Sequence, residues 1–263
     1  EDKTGDLGFD DVASLPESAW KKSSQGMLSL GFTSSTVWLR LELNNPGGSP
    51  RQMVFEIGHP PLDYLDLQVR RRDGSKELHR SGDMLPAAKV DKTCTFNAFC
   101  FQLAAGEEVT LLLRSHSSST STFPVWLSPR PVFEQHLRDR RYGEGLFYGM
   151  VLLAFLFFGM VWLVLSDRTY LYYAITLFSF VLWQASQLGE SLRVLWPQAL
   201  EWNNISNPFS GCLALIAGVQ FTRSFFRIPG ARSRLDTAMQ AVMVLTALDA
   251  LALFFIPVRA GSI

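Results

Sequence analysis

Two different patterns of hydrophobic and polar positions divide this chain. From Thr36 to Asn45 the two kinds of residue alternate strictly. Val37, Leu39, Leu41 and Leu43 fall on one side of an extended chain, and Trp38, Arg40 and Glu42 on the other. A period of two marks a half-buried strand, and the Asn-Pro-Gly-Gly that follows ends it. Shorter strand-like runs recur at 53–57, 64–70, 95–103, 108–115 and 124–129. Between them stand turn signals: Gly58-His59-Pro60-Pro61, Asp73-Gly74 and Ala105-Gly106-Glu107. The Ser/Thr stretch 115–122 reads as another loop. Short strands with this punctuation, and no long amphipathic helix among them, predict an antiparallel β-sandwich over 1–135.

Past a charged, helix-compatible connector at 136–144 the alternation gives way to long uncharged runs. The run 145–165, GLFYGMVLLAFLFFGMVWLVL, carries no charge. At about 1.5 Å per residue it can cross a hydrocarbon core of about 30 Å as a helix. A second run, 170–188, follows after Ser166, Asp167, Arg168 and Thr169, so the first two spans form a hairpin. A third, about 205–226, carries Pro208 and Gly211 near its start, where proline in a first turn is tolerated. The fourth, about 237–256, is apolar except for Asp249 and stops at Pro257. Backbone polar groups cannot be left unsatisfied in lipid, so all four are expected to be packed helices, making the residues from 145 to 263 an all-α transmembrane part.

Charge sharpens this division. The 24 basic and 24 acidic residues cancel, which argues against a nucleic-acid partner, and most of them precede Tyr142. A soluble cytoplasmic enzyme is excluded. Among the short loops, Arg168 and the group Arg227, Arg232 and Arg234 should face the cytoplasm. The first 141 residues then lie outside, against the vote of Arg138, Arg140 and Arg141. Export needs a signal peptide, and none opens the sequence, so one is expected to have been removed or omitted. Four spans return the chain to the outer side, so either there is no cytoplasmic domain or these residues begin a longer chain.

The side chains give little support for catalysis. His59, His79, His116 and His136 fall in predicted loops or the connector without zinc spacing, and neither a nucleophile elbow nor a phosphate-binding loop occurs, so no metal, cofactor or catalytic residue is expected. Cys94 and Cys100, in an external domain, are either a disulfide, which requires the five residues between them to turn back, or two free buried thiols. For the outward face Trp38, Arg40 and Glu42, with Arg114 added to the set, two readings stand. An aromatic with bidentate polar groups suits a sugar ring; alternatively Arg40 and Glu42 form a cross-strand ion pair and Trp38 packs beneath a loop. Asp249 is either a helix contact or a signalling group.

The stretches VWLRLELNN (37–45), HPPLDYLDLQV (59–69), LLLRSHSSST followed by FPVWL, SDRTYLYYAITLFSF (166–180), LWPQ (195–198) and FTRSFFRIP (221–229) occur in an order that resembles the bacterial seven-transmembrane receptors with diverse intracellular signalling modules. The resemblance is to members with the second type of extracellular domain, and it extends over about 26–257. It implies a periplasmic jelly-roll domain similar to carbohydrate-binding modules, then seven helices, then a cytoplasmic output such as a histidine kinase or diguanylate cyclase, a layout like that of RetS-type hybrid sensor kinases. Four of the seven helices are present. The expected role is the sensory portion of an inner-membrane receptor. Its partners are the lipid bilayer, a glycan or other periplasmic ligand, and a second copy or other receptor chains. The alternatives are a transporter or assembly subunit with an external β domain, and a membrane-anchored enzyme acting on envelope glycans.

Overall fold

The computed structural model describes residues 1–23, 27–33, 35–58, 62–85, 94, 97–117, 120–226 and 234–255. Two compact units divide at Leu137 and Arg138.

The first unit is a sandwich of two four-stranded antiparallel sheets. One has the order β1 (Met27–Phe32), β8 (Thr120–Pro129), β3 (Arg51–Ile57), β6 (Ala98–Leu103). The other has the order β2 (Val37–Asn44), β7 (Glu108–His116), β4 (Tyr64–Arg71), β5 (Lys76–Ser81). Alternation dictates which side chains meet between them. Leu65, Leu67 and Val69 from β4, Val109, Leu111 and Leu113 from β7, and Phe55, Phe99, Phe101 and Phe123 from the facing sheet form one buried cluster. Val37, Leu39 and Leu43 join it, but Leu41 stays 37% exposed because β2 is an edge strand.

Several sequence expectations change here. Thr120–Thr122 belong to β8 and Ser115 and His116 to β7, so the loop expected over 115–122 shrinks to Ser117 and two residues outside the described set. His79 lies in β5 and is buried, His116 ends β7, and His136 lies in a helix, whereas His59 falls outside the described residues. Strand β5 went unread because its inward positions, His79 and Ser81, are polar while Leu78 faces out.

A short helix α1 (Phe9–Ala13) and a single 3-10 turn (Glu17–Ala19) precede the strands. After β8 the chain passes without a linker into α2 (Arg130–Leu165). The expected connector at 136–144 is therefore the interior of one continuous helix. Pro131 near its start has no intrahelical donor to lose.

In the second unit α3 (Arg168–Gln187) is capped by Asp167, whose carboxylate accepts the Thr169 N–H at 2.9 Å. After the short α4 (Glu190–Val194) come α5 (Leu200–Phe225) and α6 (Arg234–Ala252). Helix α5 begins five residues before the expected third span, so Pro208 lies in its interior rather than its first turn. Helices α3 and α5 approach closely through small residues. Ala174 and Ala217 are buried, and a Cβ on Gly211 would come within 3.2 Å of the Trp183 ring. Mean hydropathy reaches 2.4 in α2 and 1.4 in α6, and α2 turns Leu146, Leu153, Leu156, Phe157, Leu163 and Val164 outward. Helices apolar on their outer surface belong in lipid.

Candidate functional site

Register places the outward side chains of the β2–β7–β4–β5 sheet in three rows. Arg114 stands between Trp38 and Asp66, Leu112 between Arg40 and Gln68, and Thr110 between Glu42 and Arg70. Arg40 and Glu42 form an ion pair, though along one strand rather than between two. Burial raises the Asp66 carboxyl above its ordinary range, against the opposing pull of Arg80 and Arg114.

The N-terminal segment crosses this face. A backbone bridge joins Asp2 to Thr36. Although burial pushes the Asp2 carboxyl up, hydrogen bonds from Thr4, Gly5 and Leu7 hold it below its usual value. Beyond that hub Phe9 meets Trp38 edge-on, ring centres 5.0 Å apart, and Val12 is 1% exposed. Asp10 ties the helix down through Arg70 at 2.8 Å and Lys76 at 2.6 Å, and both hydrogen bonds depress its pKa. The Arg114 guanidinium lies 5.9 Å from the Trp38 ring centre and donates to the Gly5 carbonyl at 3.4 Å. Trp38 and Arg114 are thus covered. Arg40 and Glu42 remain at the surface, with Arg40 stacked at 5.8 Å from the Trp20 ring centre.

What stays open is a cleft of about 670 Å³ beside α1. Ala13, Arg40, Glu42, Arg70, Arg71, Arg72, Glu108, Thr110 and Leu112 are among its walls. Arg72 pairs with Glu108, and Arg71 with Glu77 and Glu107 at 3.0 and 3.1 Å. The guanidinium and carboxylate groups lining the trough offer both planar donors and acceptors. That inventory suits a polyhydroxylated molecule. Sequence reasoning found Arg40 and Glu42 here through strand alternation. It missed Arg70 and Arg72, which reach the same trough from β4 and the turn after it.

Cys94 and Cys100 form a disulfide, with Cα atoms 5.5 Å apart. Asn97, between them in sequence, adopts a left-handed φ of 54°.

In the helical unit Asp249 lies exposed on α6. Asp236 is a buried carboxylate that takes the Arg223 Nε–H at 2.7 Å across the α5–α6 junction and a Gln240 N–H at 3.0 Å within α6. Asp236 also sits in the first turn of α6, where the helix dipole favours negative charge. On α3 and α5, the Thr169 and Ser224 hydroxyls meet at 2.7 Å.

Comparison with known protein families agrees with this two-part architecture. The family model described as 7TMR-DISM extracellular 2 matches residues 1–128. A second, described as 7TM diverse intracellular signalling, matches residues 140–262. No curated protein matches the chain. The sandwich is a periplasmic sensor domain set before a transmembrane region in the inner membrane. Sandwich, uninterrupted α2 and apolar helices, matched by consecutive halves of one receptor architecture, establish that the chain belongs to the seven-transmembrane receptors with diverse intracellular signalling modules.

Proposed function

We propose that the trough beside α1 binds a carbohydrate of the cell envelope, and that the helices relay its occupancy to a cytoplasmic output such as a histidine kinase or diguanylate cyclase. The observation carrying this reading is the cleft itself. Arg40, Glu42, Arg70, Arg72 and Glu108 converge on about 670 Å³ of solvent-open space, with the Trp20 ring against Arg40. Hydroxyls of a sugar would hydrogen-bond to the guanidinium and carboxylate groups. Trp38 and Arg114 take supporting parts, holding the N-terminal segment that forms the rim. A ligand that binds one arrangement of the sandwich better than another shifts a two-state equilibrium by that difference in affinity.

The test is oligosaccharide binding by the purified chain, first on a glycan array and then by calorimetry. Arg40→Ala and Arg72→Ala should each weaken binding by tenfold or more, about 1.4 kcal/mol, while leaving thermal unfolding nearly unchanged. Failure of the wild-type chain to bind any glycan, or unchanged affinity in a stable Arg40→Ala variant, would reject the carbohydrate site.

A further inference from the structure

The outward face of the other sheet carries a smaller apolar cluster, and the first turns of α2 close it. Val54 and Ala98 supply its floor and Phe133 its lid, all three buried, with Leu137, Cys94 and Cys100 packed around them. The first turns of this helix therefore pack on the sandwich, and a disulfide forms part of that seat. Register explains the geometry, because Cys100 on β6 lies directly opposite Val54 on β3, so the sulfur projects from the face that Phe133 covers.

Asn97 lies between the two cysteines in sequence. Its carbonyl accepts the Ile57 N–H at 2.9 Å, its own N–H donates to Ser81 Oγ at 3.0 Å, and its side-chain oxygen accepts the Ser81 hydroxyl at 2.9 Å. Residues on the β6 side of Asn97 are held by these bonds and by the ladder with β3. Cys94, on the other side, is tied to that frame through its bond to Cys100. Both cysteines are half-buried, so neither residue is sealed from solvent.

We propose that Cys94–Cys100 is a site of thiol–disulfide exchange with a dithiol reductant, and that its reduction loosens the seat of α2 on the sandwich. One thiolate of the reductant attacks a sulfur of the bond, giving a mixed disulfide and a free cysteine thiolate. The second thiolate of the reductant then displaces the remaining cysteine. Two electrons and two protons pass to Cys94 and Cys100, and the reductant leaves as its own disulfide. With the covalent tie gone, Cys94 is no longer held against Phe133 and Leu137, while Asn97 keeps β6 in register. The loosening is thereby confined to the start of α2. This input is separate from the trough on the opposite sheet, and no glycan enters its test.

Hydrogen exchange of the whole purified chain, with dithiothreitol as the probe, decides the matter. Alkylation and mass measurement confirm complete reduction, Cys212 serving as the thiol that is free in both states. Amides from Glu134 to Arg141 should exchange about tenfold faster on reduction, while those of β4 and β7 stay unchanged. A Cys94→Ala/Cys100→Ala double variant should show the fast exchange without reductant and no response to it, and Phe133→Ala should mimic it in the oxidised protein. Unchanged exchange over Glu134–Arg141 in fully reduced wild-type protein overturns the proposal. So does an equal rise across β4 and β7, which would make the bond a general staple of the domain.

Discussion

At the level of single residues, the most telling polar group is Asp83. Burial, reinforced by the charge of Asp63, pushes its carboxyl up to about 7. The two carboxylates are forced together by a backbone constraint. Gly82 sits at φ 133°, and a Cβ there would come within 2.2 Å of the Asp63 carbonyl oxygen, so no other residue fits between them. In the unfolded chain Asp83 would lose its proton near the ordinary 3.8. The folded state therefore binds more protons between these two values, and stability falls as pH rises through that window and levels off above about 7. Asp83→Asn, neutral throughout, should remove this slope. Its thermal midpoint should exceed that of the wild type by roughly 5 °C or more at pH about 8, with little difference at pH about 4. Parallel pH profiles for the two proteins would show that Asp83 does not carry the proton. None of this was legible in the sequence, where Asp63 and Asp83 are two ordinary loop acids twenty positions apart.

At the scale of elements, what the sequence revealed was whatever obeys a regular period. The alternation over 37–43 located β2 and separated the core side from the trough side, and that separation makes a prediction. Leu113 of β7 is 1% exposed between Leu39 and Leu67, whereas Leu41 faces the same side from the edge strand and is 37% exposed. Leu113→Ala should cost about 2–5 kcal/mol in denaturant unfolding of the sandwich through the cavity it leaves. Leu41→Ala should cost about 1 kcal/mol or less, since much of its surface is already in water. Equal losses would mean that β2 is not an edge in solution. Elements without a period escaped notice for physical reasons. Helix α1 is five residues long and buries one of them, Val12, so it has no stripe to detect. Yet it covers Trp38 and forms the wall of the trough, which is why the aromatic chosen from the alternation proved to be packed while its neighbours Arg40 and Glu42 stayed open. The packing of the start of α2 was hidden likewise, because Phe133 is the lone buried residue of that helix.

Over the whole molecule, charge asymmetry and the order of the two parts decide orientation, and here the sequence was most informative. Arg168, which opens α3 next to the short α2–α3 connection, is the kind of charge that resists translocation, whereas Arg138, Arg140 and Arg141 lie on α2 itself, at the end of a long exported segment where such charges constrain topology less. A sensor domain on the periplasmic side and α2 as a span together require the α2–α3 connection to be cytoplasmic. Ser75, in the turn between β4 and β5, and Ser166, between α2 and α3, are both exposed and so report the two sides. In a Cys212→Ala background, with Cys94 and Cys100 joined, a membrane-impermeant maleimide applied to intact cells should modify Ser75→Cys. Ser166→Cys should react after the inner membrane is opened and not before. Modification of Ser166→Cys from outside would place both ends of α2 on one side of the bilayer. The helix would then lie along the membrane surface rather than cross it, and an occupied trough or a reduced disulfide at its base would have no path inward through α2.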